Sequence, residues 1–293
     1  IDCDDSLCVD PRKLRTFCEE ECGFLDGVLV HNGHPVRALV VVHVFGNMAD
    51  MEAIMETAGK YNLKVIEDAT EALGTYYTEG KYKGKYAGTI GDFGCFSFNG
   101  NKIITTGGGG AVTAGSSKTV EHLRFLSTQA KSDPQYYIHD EVGYNYRMTN
   151  LQAALGVAQM EELPEFIRRK QVNYEQYKDE FEGFAYAMLM PFREGTSSNH
   201  WFYSVLIDRA RIGASMREII AALGEEGIQT RAIWGLVNEQ KPYETEETYQ
   251  LEKAPYYAER IINIPSSTQI TKEEITYVAD KVKQLLGSLA GNE

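Results

Sequence analysis

Two strand-like segments joined by a helical one constrain the fold of this chain more than any other feature. Residues 38–44 form a continuous apolar run, residues 64–67 form a second, shorter strand-like segment, and apolar side chains recur at helical spacing over residues 48–60 between them. Continuous apolar runs predict strands that are buried on both faces, and the short connections predict a parallel sheet with right-handed crossovers. We therefore expect an α/β fold in which ligands gather at the carboxyl ends of the strands.

The rest of the sequence predicts further helices and strands. The pair Asp10-Pro11 indicates the start of a helix over residues 12–21, because aspartate caps helices and proline suits their first turn. Residues 75–91 are predicted to form a hairpin or excursion, and residues 135–147 an aromatic loop. The remaining predicted elements are strands at 90–98, 109–114 and 200–208 and helices at 118–129, 149–177 (with a break at Pro164), 215–226 and 272–286.

These elements predict two domains. Residues 1–150 carry the parallel sheet, and the long helical stretch that begins near residue 149 leads the chain into a second unit. The mixture of strands and helices that follows predicts a smaller α+β domain over residues 151–293.

An acid and a lysine lie where such a fold places its ligands. Asp68 ends the second strand, and Lys102 lies in a polar loop that leads into four glycines at 107–110. Pyridoxal phosphate enzymes need this pair, because a lysine forms a Schiff base with the cofactor aldehyde and a carboxylate keeps the ring nitrogen protonated. By residue type alone, Asp68 is as well explained as a helix N-cap and Lys102 as a solvated charge.

The neighbours of Lys102 bear on which phosphate-containing ligand could bind. Ser97 ends the preceding strand and is a candidate phosphate ligand, with a turn serine as the equal alternative. The glycines at 107–110 let the backbone approach a ligand or another strand closely. They do not match the P-loop pattern, and no GxGxxG follows the first strand, which argues against a dinucleotide dehydrogenase.

Charge and cysteine usage narrow the class of protein further. With 29 basic and 42 acidic residues the net charge is −13, which argues against binding to nucleic acid or anionic membranes. No apolar run approaches the ~20 residues of a membrane span and no signal peptide is evident, so we expect a cytoplasmic protein. The spacing of Cys3, Cys8, Cys18 and Cys22 does not match a zinc site, so we expect free thiols and no metal.

Longer stretches of the sequence resemble a known family. The segments VIEDATEA (65–72), FSFNGNK (96–102) and TTG (105–107), together with VHVFG (42–46) and YNYRMTNLQAA (144–154), closely resemble the DegT/DnrJ/StrS sugar aminotransferases. The resemblance covers nearly the whole chain. It implies a fold-type I, aspartate-aminotransferase-like fold, with a mainly parallel sheet flanked by helices in a large domain and a smaller α+β C-terminal domain.

The resemblance also implies roles for five residues and a cofactor, pyridoxal 5′-phosphate. Lys102 corresponds to the Schiff-base lysine, Asp68 to the partner of the pyridine nitrogen and Ser97 to a ligand of the cofactor phosphate. Glu71 occupies the position, usually glutamine or histidine, that faces the cofactor's phenolic oxygen. Asn145 corresponds to a residue that reaches the phosphate of a neighbouring subunit, which implies a homodimer with shared active sites.

The sequence departs from the family pattern in three places. Glu71 is an acid, and together with the run Asn99-Gly100-Asn101 it resembles the branch that aminates nucleotide-linked 4-keto-6-deoxy sugars on bacillosamine or legionaminic acid pathways. Gly108 replaces a glutamate that is common in this loop, and nothing in the sequence explains the change. The family's N-terminal segment, with a helix N-terminus for the phosphate and an aromatic for the cofactor ring, is expected to be absent from this chain.

The sequence therefore predicts a pyridoxal phosphate-dependent aminotransferase. It is expected to move an amino group from glutamate to a nucleotide-linked 4-keto-6-deoxy sugar, with UDP as the expected nucleotide, to give a 4-amino sugar for surface glycan or nonulosonic acid synthesis. A non-catalytic scaffold derived from such an enzyme is the alternative. A sugar 3-dehydratase of the same family is disfavoured, because that branch replaces the Schiff-base lysine with histidine whereas this chain has Lys102.

Three further residues are candidates for contact with the substrate. His43 lies at the end of the first strand, and Trp201 belongs to an aromatic run that could place a ring beside a sugar or nucleotide. Arg231 could bind a diphosphate or the carboxylate of the donor. Core packing for the aromatic run and a plain surface position for Arg231 remain open alternatives.

Overall fold

The computed structural model describes residues 1–290, so the last three positions of the predicted second domain lie outside the described residues. Most of the predicted helices and strands lie within a few residues of observed ones, and the structure adds several short strands that were not predicted. The helices are α1 (Pro11–Thr16), α2 (Met51–Lys60), α3 (Ser117–Ser127), α4 (Asn150–Phe181), α5 (Met216–Glu225), α6 (Lys253–Ala258) and α7 (Lys272–Leu289). Short non-α helical turns cover Phe17–Glu21, Val44–Gly46, Val237–Glu239 and Lys241–Tyr243.

The strands group into two main sheets and three small ones. They are β1 (Gly23–Leu25), β2 (Val28–His31), β3 (His34–Val36), β4 (Ala38–Val42), β5 (Lys64–Asp68), β6 (Tyr76–Tyr77), β7 (Phe93–Ser97), β8 (Gly110–Ala114), β9 (Lys131–Asp133), β10 (Ile138–His139), β11 (Ala187–Leu189), β12 (Thr196–Ser197), β13 (Tyr203–Ile207), β14 (Arg231–Ala232) and β15 (Ile261–Ile264).

The first main sheet confirms the predicted parallel arrangement. Its strand order is β4-β5-β7-β8, with β4, β5 and β7 parallel and β8 antiparallel to β7. Val42 pairs with Asp68, and Asp68 pairs with Cys95, so the three parallel strands end along the same edge. This edge carries the ends of β5 and β7, from which the predicted site residues extend.

The prediction that the first strand is buried on both faces is wrong. β4 is the outer strand of its sheet, and Val40 on one face is 57% exposed while Val41 on the other is fully buried. Val41 packs with Val65, Met51 and Ile54 of α2. The apolar run therefore predicted a strand correctly, but it did not show whether one face or both faces of the strand would be buried.

The second main sheet forms the predicted α+β unit. Its order is β11-β13-β15-β14, all antiparallel, and α5, α7 and the C-terminal half of α4 pack against it. The core of this unit is contributed by Tyr177 and Phe181 of α4, Tyr203 of β13, Ile219 of α5 and Ile275 of α7. The two separate cores support the predicted division near residue 150, which stays a proposal.

The predicted break at Pro164 is wrong, because α4 runs without interruption from Asn150 to Phe181. Thr149 caps it, and Gln152 returns the contact in a capping box. Leu163, beside the proline, packs with Ile103, Ile104 and Trp201, whereas the C-terminal half of α4 belongs to the second core. Packing beside the proline and over the C-terminal half therefore favours a continuous helix across a residue that costs about 3 kcal/mol in a helix interior.

None of the helices in residues 1–290 combines the length and the apolar character that crossing a membrane would require.

Candidate functional site

Lys102 lies in the loop between β7 and β8, and the loop is held on both sides of it. The Lys102 backbone N–H donates to Asn99 O at 3.1 Å, and the Thr106 N–H donates to Phe98 O at 3.0 Å, which closes the loop. Ile103 and Ile104 are buried against α4. Because its neighbours are fixed in this way, the Lys102 side chain points into the protein and is only 13% exposed.

Two groups from distant parts of the chain surround the Lys102 ammonium. Glu71 Oε1 lies 3.7 Å from Lys102 Nζ, and the centroid of the Trp201 ring lies 4.3 Å from the same atom. The indole Nε1 of Trp201 donates to Asn101 O at 2.9 Å, next to Lys102. The lysine is therefore enclosed by one carboxyl group and one aromatic ring, which rules out the solvated surface charge that residue type alone would suggest.

Glu71 is a buried acid that shares this enclosure. Its Oε2 accepts a hydrogen bond from the Phe45 backbone N–H at 2.7 Å. Burial raises the pKa of Glu71 to about 7, and the nearby Asp68 charge acts in the same direction, while the Phe45 N–H and Lys102 oppose it. A carboxyl group with such a pKa exchanges its proton near neutral pH.

Asp68 occupies the carboxyl end of β5, as the sequence predicts. Its backbone carbonyl accepts from the His43 N–H at 3.0 Å, and its Oδ1 accepts from the Thr70 N–H at 3.1 Å. Within residues 1–290 no donor is hydrogen-bonded to Oδ2. Among the described residues no helix begins directly after Asp68, so the alternative of a helix N-cap is wrong, and the contact of Oδ1 with Thr70 belongs to a local turn. Oδ2 remains available to accept from a ligand, and the functional role of Asp68 stays a proposal.

Ser97 is the last residue of β7, at the same edge of the sheet as Asp68. Its Oγ accepts from the Asn99 N–H at 3.3 Å, which leaves the hydroxyl proton free to be donated. A free hydroxyl donor at a strand end suits an anionic oxygen of a ligand.

The predicted contact of His43 with the substrate stays a prediction, and the structure places its side chain in the protein interior. His43 is fully buried, and both of its ring nitrogens are engaged. Nε2 lies 2.9 Å from Glu67 Oε2, and Nδ1 accepts from the Ala49 N–H at 3.1 Å. Because Nδ1 is an acceptor, the ring is neutral and braces the turn after β4 against β5.

The predicted contact of Trp201 with a sugar or nucleotide also stays a prediction, and the structure places its ring against Lys102. Its ring is only 2% exposed, lies against Lys102 and stacks on Phe202 with centroids 3.8 Å apart. Trp201 is therefore a wall of the lysine's enclosure and offers no free surface to a sugar.

Asn145 and Arg231 are exposed, and neither is among the groups that contact the Lys102 ammonium. Asn145 follows the aromatic hairpin β9-β10 and makes a backbone bridge to Thr128. Arg231 lies on β14, the outer strand of the second sheet. Their predicted roles, a neighbouring subunit's phosphate for Asn145 and a diphosphate or carboxylate for Arg231, stay predictions.

Asn199 is a site residue that sequence reasoning missed. It is fully buried, and its Nδ2 donates to Glu71 O and Leu73 O at 2.8 and 3.0 Å. Its Oδ1 accepts from the Trp201 N–H at 3.0 Å. One side chain thus ties the segment that carries Glu71 to the segment that carries Trp201. No sequence pattern distinguishes Asn199, because an asparagine beside an aromatic run is typical of a turn.

The residues at this sheet edge fit a pyridine aldehyde that bears a phosphate. Lys102 supplies an enclosed amine, Asp68 a free carboxylate oxygen and Ser97 a free hydroxyl. The structure offers no comparable group of metal ligands: no three or more histidine, cysteine, aspartate or glutamate side chains in residues 1–290 are arranged to hold an ion. All five cysteines are free thiols, as expected.

Comparison with known proteins places this chain in a class and then in a family. The crystal structure of DesI in the presence of its TDP-sugar product superposes with a TM-score of 0.84 and 25% sequence identity, covering 98% of this chain and 68% of that one. The fold is that of the fold-type I pyridoxal phosphate-dependent aminotransferases. Residues 1–283 match the DegT/DnrJ/EryC1/StrS aminotransferase family, and the chain belongs to it.

Two curated relatives are similar over most of this chain. EpsN of Bacillus subtilis (strain 168), which carries the name of a pyridoxal phosphate-dependent aminotransferase, is 36% identical over 247 residues. The GDP-perosamine synthase of Escherichia coli O157:H7 is 36% identical over 253 residues. These alignments cover 83% and 85% of this chain but only 62% and 65% of the relatives, so the chain spans just under two thirds of their length.

Proposed function

We propose that this chain is the catalytic part of a nucleotide-sugar aminotransferase that binds pyridoxal 5′-phosphate through Lys102. One observation carries the proposal: Asp68 and Ser97 end neighbouring strands at one edge of a parallel sheet, and the loop that follows Ser97 carries the enclosed amine of Lys102. When bound, the cofactor supplies an aldehyde for the lysine and a ring that withdraws electrons from the reacting carbon.

Three residues of this chain have distinct proposed roles in the reaction. Lys102 provides the amine that attaches the cofactor and afterwards moves a proton at the substrate carbon. Asp68 accepts a charge-assisted hydrogen bond from the protonated ring nitrogen, worth about 1.5–3 kcal/mol, and so keeps that nitrogen charged. Ser97 donates its hydroxyl proton to the phosphate. These assignments rest on the placement of the three residues and on the family resemblance.

Glu71 is proposed to face the cofactor from the side of Lys102. A permanently charged carboxylate would repel a phenolic oxygen that carries negative charge, but a carboxyl group with a pKa of about 7 can hold a proton and donate it. The protonated form would therefore be the one that accepts the cofactor.

The substrate is proposed to be a nucleotide-linked 4-keto-6-deoxy sugar, and the donor glutamate, giving a 4-amino sugar. The names of the relatives support the coarse class, because a GDP-perosamine synthase and a protein crystallised with a TDP-sugar product both concern nucleotide sugars. UDP as the nucleotide is proposed from the resemblance of Glu71 and the run Asn99-Gly100-Asn101 to one branch of the family. Cell-surface glycan or nonulosonic acid synthesis is the pathway that this branch implies.

A homodimer with shared active sites is proposed for the same protein. Exposed apolar side chains cover the first turns of α4 and the segment before it, among them Leu151, which is 86% exposed, Val157, Val142 and Tyr146. Apolar patches of this kind mark protein–protein contacts. Asn145 lies within this patch, where a second subunit could approach it. The expected cytoplasmic location stays a prediction.

An absorbance spectrum of the purified protein with pyridoxal phosphate, recorded before and after glutamate is added, tests the proposal. We expect a visible band that bleaches on addition of glutamate, because the amino group passes to the cofactor. A folded protein with no band, or a band that glutamate does not change, would favour a non-catalytic scaffold. The same samples in sedimentation velocity test the dimer.

A further inference from the structure

Lys170 is a buried lysine that the proposed chemistry does not use. It lies in the middle of α4 and is only 5% exposed. No carboxylate of residues 1–290 lies within ion-pairing distance of its Nζ, which instead donates to Trp201 O at 2.8 Å and to Ser266 O at 2.5 Å. Burial lowers the pKa of Lys170 to about 7.

Stability alone does not account for a lysine at this position. Replacing a buried charge by an apolar side chain of similar volume is often neutral or stabilising, because the charge must be taken out of water. What an apolar side chain could not do is donate hydrogen bonds to two backbone carbonyls that belong to different segments. The specific contribution of Lys170 is therefore to fix the places of those two carbonyls.

The two carbonyls lie in segments that no strand pairing holds. Trp201 precedes β13, and Ser266 follows β15, so both lie just beyond the ends of paired strands. The Ser266 hydroxyl also donates to Trp201 O at 3.1 Å. Lys170 therefore joins the helix between the two cores to the segment that carries Trp201 and to the loop before α7.

Trp201 passes this restraint on to Lys102. Its backbone N–H donates to Asn199 and its carbonyl accepts from Lys170, so the main chain is held on both sides. Its side chain donates to Asn101 O and lies 4.3 Å from Lys102 Nζ. A shift of the Trp201 main chain would therefore move the ring that encloses Lys102. It would also weaken the hydrogen bond to Asn101, the residue before Lys102.

We propose that Lys170 is a positioning residue, which holds Trp201 in place and through it the amine of Lys102. The part of the proposal that concerns covalent chemistry rests on the proposed function. Reactions at a positioned group fall steeply when that group is displaced by about 1 Å. Loss of the two hydrogen bonds should therefore slow the reaction of Lys102 without weakening the binding of a carbonyl compound, since Lys170 Nζ donates to two backbone carbonyls of the protein.

The first test follows Trp201 itself and needs no cofactor. In a Trp234→Phe background Trp201 is the remaining tryptophan, because the chain contains two. Lys170→Met should shift its emission to longer wavelength and raise its quenching by acrylamide, whereas Lys170→Arg should retain most of the parent signal. Lys178→Met, on the exposed side of the same helix, is the matched control and should change neither. Parent-like emission in a folded Lys170→Met variant would overturn the proposal.

The second test follows Lys102 in the same variants. Pyridoxal phosphate is added, the adduct is reduced with borohydride at timed intervals, and peptide mass spectrometry counts modified Lys102. Lys170→Met should lower the rate at saturating pyridoxal phosphate by about tenfold or more, with little change in the half-saturating concentration. Lys170→Arg should restore most of the rate, and Lys178→Met should react like the parent.

The outcomes separate this proposal from the proposed function. If Lys102 of the parent protein is not modified at all, the proposed function fails, and the emission test alone decides the role of Lys170. An unchanged rate in Lys170→Met overturns the positioning role. If Lys170→Met does not fold, Lys170→Arg decides. A parent-like rate with parent-like emission supports the proposal, because arginine retains the hydrogen-bond donors. Slow modification with a parent-like unfolding midpoint overturns it. If Lys170→Arg lowers the unfolding midpoint and the rate of Lys102 modification in proportion, Lys170 acts through stability alone.

Discussion

Glu71 Oε1 lies 3.7 Å from Lys102 Nζ inside the protein, so a buried acid and the candidate nucleophile share one enclosure. The other carboxylate oxygen is held by the Phe45 backbone N–H. Phe45 reaches that position in a left-handed conformation, with φ of 57° in a tight turn. The turn after β4 therefore takes a backbone form that is uncommon for a bulky residue, and its N–H stabilises the acid beside Lys102.

Replacing the acid should change how stability depends on pH. The pKa of Glu71 is raised from 4.5 to about 7 in the folded protein, mainly by burial. Its contribution to the free energy of unfolding is therefore greatest below pH 4.5 and is lost as the pH rises through about 7. We expect Glu71→Gln to gain up to about 3 kcal/mol relative to the parent between those pH values, measured by urea unfolding.

Glu165 offers a control for that measurement. It is an exposed acid on α4 that pairs with Arg168 and Arg169, and these lower its pKa to about 2. Glu165→Gln should therefore show no trend between pH 4.5 and 7. A flat difference between Glu71→Gln and the parent over that range would show that Glu71 is not a neutral acid in the folded protein.

Removing the amine of Lys102 should abolish covalent attachment of pyridoxal phosphate while leaving the fold intact. Lys102→Ala loses a side chain that is held by one distant carboxyl contact and one aromatic contact, so the surrounding loop should persist. Visible absorbance with added pyridoxal phosphate, followed by borohydride reduction and mass spectrometry, measures the loss. Lys83→Ala, in an exposed loop, should behave like the parent. An unchanged spectrum in Lys102→Ala would contradict the central assignment.

Neutralising Asp68 should separate cofactor binding from turnover. Asp68→Asn keeps the shape of the side chain and can still accept from the Thr70 N–H, but it no longer stabilises a charged ring nitrogen. The loss of a charge-assisted hydrogen bond of about 1.5–3 kcal/mol predicts a rate about 10–100-fold lower, with cofactor binding partly retained. Stopped-flow absorbance of the glutamate half-reaction measures both. A parent-like rate would remove Asp68 from the proposed chemistry.

A single added methyl group at Gly46 should destabilise the turn next to the site. Gly46 has φ of 89°, and a Cβ there would overlap the Oδ1 of Asn199, which is fully buried. We expect Gly46→Ala to lose more than about 2 kcal/mol in the free energy of unfolding. Gly59→Ala, where nothing lies within 4 Å of the new methyl group in α2, should instead gain up to about 1 kcal/mol. Equal stability of the two variants would contradict the packing around Asn199.

Most of the fold was predictable because its signals are local. The caps Asp10, Ser215 and Thr271 begin helices where the sequence indicates a start, since a capping side chain needs only the next few residues. The parallel order of β4, β5 and β7 followed from strands alternating with a helix or a long connection. The continuity of α4 through Pro164 was not predictable, because it depends on packing against two cores that lie far apart in sequence.

The residues of the candidate site also fall into those that the sequence predicts and those that only the structure reveals. Asp68, Ser97 and Lys102 follow strand ends or lie in a glycine-rich loop, and these are features that a sequence displays. The sequence does not reveal the residues around Lys102. Trp201 lies about a hundred residues away, and Asn199 and Lys170 have no distinguishing sequence pattern. His43 shows the converse, since its place at a strand end suggested a ligand but burial engages both ring nitrogens.

The sequence by itself determined the α/β class, the sheet edge that carries Asp68 and Ser97, and the lysine that follows them, because periodicity, caps and loop glycines act over a few residues. Only the tertiary structure decided which groups enclose Lys102, that burial raises the pKa of Glu71, and that Lys170 donates a hydrogen bond to the Trp201 carbonyl. Those properties arise from burial and from hydrogen bonds between distant segments, and both exist only once the chain has folded.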